Sequence, residues 1–309
     1  MKAKVKAIEI PKDKRAICIS DIHGSLDLFK QLLDKVNYCG DDILILLGDL
    51  YTKAKGDQGH ATLKFIIELS QSKNVHVLRG NCDWVEDYLE HEEIKWLDGL
   101  PHIIESEKFV FVHGGISSNN LAEQEARACM KNDNFMEQGL MFDKYVVVGH
   151  YPTVNYTHEV PCHNPIVNEK SRIIAIDGGC INIRSGQLNA FIISDEKFSY
   201  TYVDGFPTIQ MEKAQAAKGG ELNITWLDRF VEFVEYGEVF STYRHLKTGK
   251  ELDIPNSTVW KDALGNICSG GFGTDYFLPV NAGDEVSVVS KFGNRIFAKV
   301  NGTVGWIEL

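Results

Sequence analysis

Ile17-Cys18-Ile19-Ser20-Asp21-Ile22-His23-Gly24 is an apolar run that stops at a polar loop. Beyond it, Leu28, Phe29, Leu32, Leu33 and Val36 recur at helical spacing over Leu26–Val36. The order is strand, loop, helix, and it returns along the chain. Ile43–Leu47 runs into Gly48-Asp49, and Leu63, Phe65, Ile66, Ile67 and Leu69 then mark a helix over Ala61–Ser70. Val75–Leu78 leads to Arg79-Gly80-Asn81-Cys82-Asp83, Phe109–Val112 to His113-Gly114-Gly115, and Val146–Val148 to Gly149-His150. Apolar, mostly β-branched runs read as buried strands, and strand–loop–helix repeats imply βαβ units. Loops at the ends of neighbouring strands converge on one edge of a sheet, where open α/β folds place their sites. Here the loops carry Asp21, His23, Asp49, Asn81, His113 and His150. These are too many donors for one ordinary site, and they suit two cations that share a bridging carboxylate.

The segments SDIHG (20–24), GDLYTK (48–53), RGNCD (79–83), VHGG (112–115) and VGHYPT (148–153) resemble the calcineurin-like metallophosphoesterases. Within them the order is similar to the phosphoprotein (Ser/Thr) phosphatases of bacterial and phage type, which read GDxHG, GDxVDRG, GNHE, HGG and GH. Ile176–Cys180 resembles the IDTG strand end of that family. The likeness spans residues 14–205, about two-thirds of the chain. It implies an α/β fold, a two-sheet αββα sandwich, and a dinuclear metal-dependent phosphoesterase. Asp21 and His23 would bind the first metal, Asp49 would bridge, and Asn81, His113 and His150 would bind the second. A water or hydroxide between the cations would attack phosphorus in line. Asn81 would also reach a phosphate oxygen, and Lys53 and Arg79 would offset phosphate charge. Oxygen and imidazole donors suit two divalent ions, manganese foremost, with iron, zinc or magnesium compatible. The partner implied is a phosphorylated substrate, either a phosphoprotein or a phosphorylated small molecule or nucleotide.

The departures point to chemistry as well. The family's GNHE histidine protonates the leaving oxygen, steadied by the Asp of GDxVDRG; here these are Cys82 and Thr52. The phosphate-holding Arg of that segment is Lys53, which keeps the charge but loses the planar fork. A thiol is a weak donor, so alkyl monoesters should be poor substrates, and aryl esters, phosphoanhydrides and some diesters better ones. A phosphodiesterase or dinucleoside polyphosphate hydrolase is therefore the alternative to a Ser/Thr phosphatase. A metal-binding regulatory module that captures phosphoproteins is the non-enzymatic rival; six retained donors argue against it. His158 and His163 are considered as replacement acids, and Arg127 as a second phosphate contact.

The bulk numbers set bounds. A chain of 309 residues holds one sizeable α/β domain and a small second one. The formal charge of −11 disfavours a nucleic-acid backbone. Seven cysteines with no CxxC pair argue for reduced thiols and a cytoplasmic protein. No apolar stretch follows Met1-Lys2-Ala3-Lys4, and none approaches a membrane span.

The expected organisation is a catalytic domain over 1–205, a linker over 206–221 and a small, mostly β domain over 222–309. Within the first, Trp84–Leu89 and Ala122–Met130 are expected as helices and the acidic run Glu86–Glu93 as a solvated helical face. In the last, Asn301-Gly302 signals a type I′ turn, and Leu278–Leu309 resembles a bacterial SH3-like barrel.

Overall fold

Ile17 and Ile19 face one side of their strand, Ala16 and Cys18 the other, and all four are buried. A strand with two apolar faces must lie inside a layered fold. The computed structural model describes residues 1–53, 57–195 and 197–309. They form two compact units. The first holds Met1–Thr153, Asn164–Asn182 and Gly186–Asp204; the second holds Val154–His163, Ile183–Ser185 and Gly205–Leu309.

The first unit contains β1 (Val5–Ala7), β2 (Ala16–Ile19), α1 (Leu26–Lys35), β3 (Ile43–Leu46), α2 (Gln58–Leu69), β4 (Val75–Val77) and α3 (His91–Gly99). It continues with β5 (Ile103–Glu105), β6 (Phe109–Val112), α4 (Ala126–Met130), β7 (Tyr145–Val148), β8 (Ile166–Asn168), β9 (Ile173–Ala175), β10 (Leu188–Ser194) and β11 (Lys197–Val203). One sheet has the order β11-β10-β2-β3-β4 and the other β1-β5-β6-β7-β9-β8. In the first sheet β2, β3 and β4 are parallel. In the second β6, β7 and β9 are parallel. Ile17, Ile19, Leu44 and Leu46 pack with Phe29, Leu32, Leu63, Ile66 and Leu97 of the helices. Cys18, Ile43 and Ile45 pack with Phe109, Phe111, Val147 and Ile174 of the second sheet. Each such side chain, fully buried, stabilises by roughly 1.5–3 kcal/mol. The alternation of one strand thus builds both layers of the sandwich.

Three local expectations are corrected. Residues 84–89 are not helical; α3 begins at His91, where Glu90 and Glu93 form a reciprocal capping box. Glu93 is also not on a solvated face, because it is buried and both its oxygens meet His60 Nε2, at 2.8 and 3.0 Å. The helix expected over Ala122–Met130 is broken, with a short 3-10 turn at Leu121–Glu123 and α4 from Ala126.

The second unit is mostly β. It has a four-stranded sheet of β12 (Thr208–Gln210), β18 (Glu285–Phe292), β19 (Arg295–Val300) and β20 (Thr303–Glu308). A three-stranded sheet contains β13 (Val231–Glu235), β14 (Phe240–His245) and β15 (Glu251–Pro255); β16 (Val259–Lys261) pairs with β17 (Ile267–Ser269). The stretch read as a linker therefore supplies β12, whose residues pair with β18. Asn301 and Gly302 both have positive φ, 49° and 78°, as a type I′ turn between β19 and β20 requires. Among the described residues no helix is long and apolar enough to cross a membrane.

Candidate metal centre

Three parallel strands of each sheet end at the loops that carry the donors. Asp21 and His23 follow β2, Asp49 follows β3, and Asn81 follows β4. His113 follows β6, His150 follows β7, and Asp177 follows β9. The loops are stitched to one another by backbone hydrogen bonds: Asp21 N to Gly48 O (3.1 Å), His23 N to Asp49 O (2.9 Å) and Gly149 N to His113 O (2.9 Å). Asp21, His23, Asp49, Lys53 and His150 all have positive φ, between 48° and 76°. Non-glycine residues seldom adopt that region, and such strain gathers where a fixed side-chain direction is needed. Two glycines make the close approach possible. A Cβ on Gly80 would collide with the Asp49 backbone and carboxylate, and one on Gly149 with Ser20 and Asp21.

The donors meet. The ligating atoms of Asp21, Asp49 and His113 lie within 4.8 Å of one another, as do those of His23, Asp49 and Cys82, and all five residues are buried. Asp49 belongs to both groups. His113 Nδ1 donates to Leu47 O (2.7 Å), which leaves Nε2 facing Asp49 Oδ1 (3.3 Å) and Asn81 Oδ1 (3.2 Å). His150 donates its backbone N–H to Asp21 Oδ2 (2.9 Å), and its Nε2 lies 2.7 Å from Asp133 Oδ1. The Asn81 oxygen also stands 2.7 Å from His150 Nδ1, an acceptor because that ring donates from Nε2 to Asp133, so two acceptor atoms face each other. Either a reversed amide or a cation between them removes that conflict.

The electrostatics tell the same story. Burial raises the Asp21 carboxyl, with Asp49 adding to it against the pull of His113. Burial would also raise Asp49, but His113 and His23 hold it well below the usual carboxylate range. Burial alone would lower His113; Asp49 and Asp21 outweigh it and push it up to about 10. Burial takes His23 down to about 4, which keeps it neutral with a free lone pair. Asp177, fully buried, is raised by burial and by Asp21. Asp21 Oδ1 and Asp177 Oδ2 are buried with no hydrogen-bond partner. A buried cluster of carboxylates with orphaned oxygens, an imidazole kept neutral at His23 and a proton drawn onto His113 in the absence of other positive charge fits divalent cations, which demand oxygen and imidazole donors.

The remaining predicted residues fall in different places. Lys53 is exposed, and its Nζ donates to Asn182 Oδ1 (3.0 Å). Arg79 differs from expectation: its guanidinium pairs with Asp98 (2.8 Å) and donates to Asp83 O (3.2 Å), so it braces the loop instead of facing the donors. Arg127 is exposed on α4. His158 and His163 belong to the second unit, where His163 meets Ser185 (2.9 Å) and His158 faces Asp228 (4.0 Å). The Cys82 thiol is pushed up to about 12 by burial and Asp49, and the Thr52 hydroxyl donates to the Cys82 carbonyl.

Three residues were missed. Asp83 accepts N–H bonds from Asp49 (2.9 Å), Leu50 (2.7 Å) and Gly80 (2.7 Å), tying two donor loops together. Its place in RGNCD was the available signal. Asp133 and Asn182 lie in no motif, and only the folded chain brings them to His150 and His23.

Parallel strands of two stacked sheets that deliver buried carboxylates and imidazoles to one rim define a metal-dependent phosphate-ester hydrolase. The sequence model described as calcineurin-like phosphoesterase matches residues 14–176, more than half of the chain, and the chain belongs to that family. The family depends on a dinuclear metal centre. No curated protein sequence matches the chain. Among solved structures, a proposed diadenosine tetraphosphatase is 18% identical, covers 66% of this chain and 99% of its own, and superposes with a TM-score of 0.51. A protein serine/threonine phosphatase from Saccharomyces cerevisiae is 11% identical over 67% of this chain and 85% of its own, with a TM-score of 0.46. The cold-active protein-tyrosine phosphatase of a psychrophilic Shewanella is 16% identical over 65% and 82%, with a TM-score of 0.41. The first likeness supports the sandwich fold.

Proposed function

We propose that this chain hydrolyses phosphoanhydrides and phosphate esters with good leaving groups, using two divalent cations held by Asp21, His23, Asp49, Asn81, His113 and His150. The observation that carries the reading is the convergence of Asp21 and His113 on one side and His23 on the other upon the buried Asp49 carboxylate. Two such cations, when bound, lower the pKa of water between them and offset phosphate charge. Manganese leads the candidates, with iron, zinc and magnesium beside it.

The residues divide the work. Asp83 holds the Asp49 and Gly80 loops at fixed separation. Leu47 O fixes the tautomer of His113, so that Nε2 faces the pocket. Lys53, held by Asn182 Oδ1, supplies a positive charge at the rim, and Asn81 an amide in reach of a phosphate oxygen. Proton donation to the leaving group is weak, because Cys82 is a poor donor and the Thr52 hydroxyl is engaged by a carbonyl. That favours dinucleoside polyphosphates and aryl esters over phosphoserine. Ser/Thr phosphatase activity is the second reading, favoured by the order of the donor loops. The unit of Met1–Thr153, Asn164–Asn182 and Gly186–Asp204 carries all six donors and acts as the catalytic domain, and 206–221, read as a linker, belongs with 222–309 in the second unit. Among the described residues no cysteine forms a disulfide, which fits a reducing compartment such as the cytoplasm.

A substrate panel tests the reading. Dinucleoside tetraphosphate, 4-nitrophenyl phosphate, its bis-ester and a phosphoserine peptide would be assayed with each cation. The expected result is turnover of the first two at least tenfold above the peptide, abolished in Asp49→Asn. Faster turnover of the peptide would reverse the substrate assignment, and no turnover with any cation would favour the binding-module rival.

A further inference from the structure

We infer that Asn182 is a substrate-positioning residue of this centre: its amide sets where the Lys53 ammonium stands and offers an N–H to the phosphoryl group. The inference rests on the phosphoesterase reading above.

Asn182 lies five residues beyond Asp177, in the segment that leaves β9. Its Oδ1 accepts from Lys53 Nζ at 3.0 Å, and its Nδ2 stands 2.7 Å from His23 Nε2. One exposed side chain therefore touches both a candidate metal ligand and the rim cation. The backbone beneath it is strained. Ile181 has φ 65°, a region that a β-branched residue rarely enters. Ile181 is 54% exposed, so core packing does not hold it there. A tight turn from Asn182 N to Cys180 O (2.7 Å) fixes the bend, with Cys180 anchored in the core. What this conformation achieves is the placement of the Asn182 amide. Lys53, at its other end, also sits at positive φ, 76°. Strain stored on both sides of a single polar contact belongs to a positioning device.

The chemistry follows from the His23 lone pair. An amide N–H that donates to Nε2 requires the ring proton on Nδ1, which is also the tautomer that offers Nε2 to a cation. Nε2 serves one partner at a time. Once it is coordinated, the Asn182 N–H needs another acceptor, and a phosphoryl oxygen beside Lys53 is one. The amide carbonyl keeps Lys53 in place meanwhile, because an ammonium on a four-carbon stem is otherwise free to swing.

The test uses the full-length protein loaded with manganese, and four forms: wild type, N182A, K53A and the double variant. Inorganic phosphate binding is read by calorimetry, and KM and kcat on 4-nitrophenyl phosphate. Loss of a hydrogen bond to a charged group predicts that N182A binds phosphate about tenfold more weakly. KM should rise while kcat stays within about threefold. Manganese affinity should hold or tighten, since a competitor for Nε2 has gone; a merely structural role would weaken it. K53A should cost less in the N182A background than alone. Unchanged phosphate affinity in N182A, equal K53A costs in both backgrounds, or weakened manganese binding each overturns this inference alone. Wild type that binds no phosphate with any divalent cation overturns it together with the reading on which it rests.

Discussion

Cys82 occupies the position where the resemblance expects a histidine, and its surroundings explain why chemistry should change there. Its backbone N–H donates to Asp49 Oδ1 (2.7 Å), so the residue is pinned to the shared carboxylate. Burial and Asp49 push its thiol up, and a thiol is a weak donor toward a departing alkoxide. Cys82→His should restore a donor, and turnover of a phosphoserine peptide should rise by about tenfold or more, within the range of general acid catalysis. Turnover that stays level or falls would mean that leaving-group protonation is not what limits this enzyme. The gain should be partial, because Thr52 offers no carboxylate to steady the new imidazole. Arg79 shows the limit of reading one residue by analogy. A charged side chain beside a metal loop suggested phosphate binding, yet Asp98 and the Asp83 carbonyl claim its guanidinium.

The strands that carry the donors are held in register at their other ends too. Arg15, just before β2, makes a two-pronged contact with Asp42, just before β3: Nε to Oδ1 (2.9 Å) and Nη2 to Oδ2 (2.7 Å). Burial works to raise the Asp42 carboxyl, but Arg15 and the Cys39 N–H pull it below its ordinary value. A depressed carboxylate adds stability above its unfolded pKa, near 3.9, and loses it as pH falls through the lower folded value. Arg15→Ala should therefore lower Tm most near pH 7, with the gap to wild type closing below about pH 4. A gap that stays constant from pH 7 to pH 3 would show that the pair contributes nothing through charge. Elements of this kind were readable from periodicity where strands were buried on both faces. The Ile43–Leu46 run, apolar throughout, announced a central parallel strand. The start of α3 was not readable, since Trp84, Val85, Tyr88 and Leu89 stand at helical spacing. The reciprocal Glu90–Glu93 cap sets the boundary, and Tyr51 holds the Trp84 carbonyl in the preceding loop. Thr208–Gln210 hid in a stretch broken by Gly205, Pro207 and Gly219-Gly220, and only pairing with β18 makes it a strand.

At the scale of the whole molecule, the chain spends six separated loops on one buried, acidic pocket. Such a pocket is costly without counter-charge: His113 is driven up to about 10 chiefly because Asp49 and Asp21 face it. The order of the loops made the donor set legible in the sequence, because each donor follows a strand whose apolar run ends there. The supports of that set were not legible. Asp133 is 17 residues from His150 and Asn182 is 159 from His23; no local pattern links either pair. The central claim is that two cations share Asp49. Crystals grown with manganese and measured at its absorption edge test it directly. The account predicts two anomalous peaks about 3.5–4 Å apart, one on each side of the Asp49 carboxylate, with both lost in Asp49→Asn. A single peak, or peaks that do not touch Asp49, would contradict it.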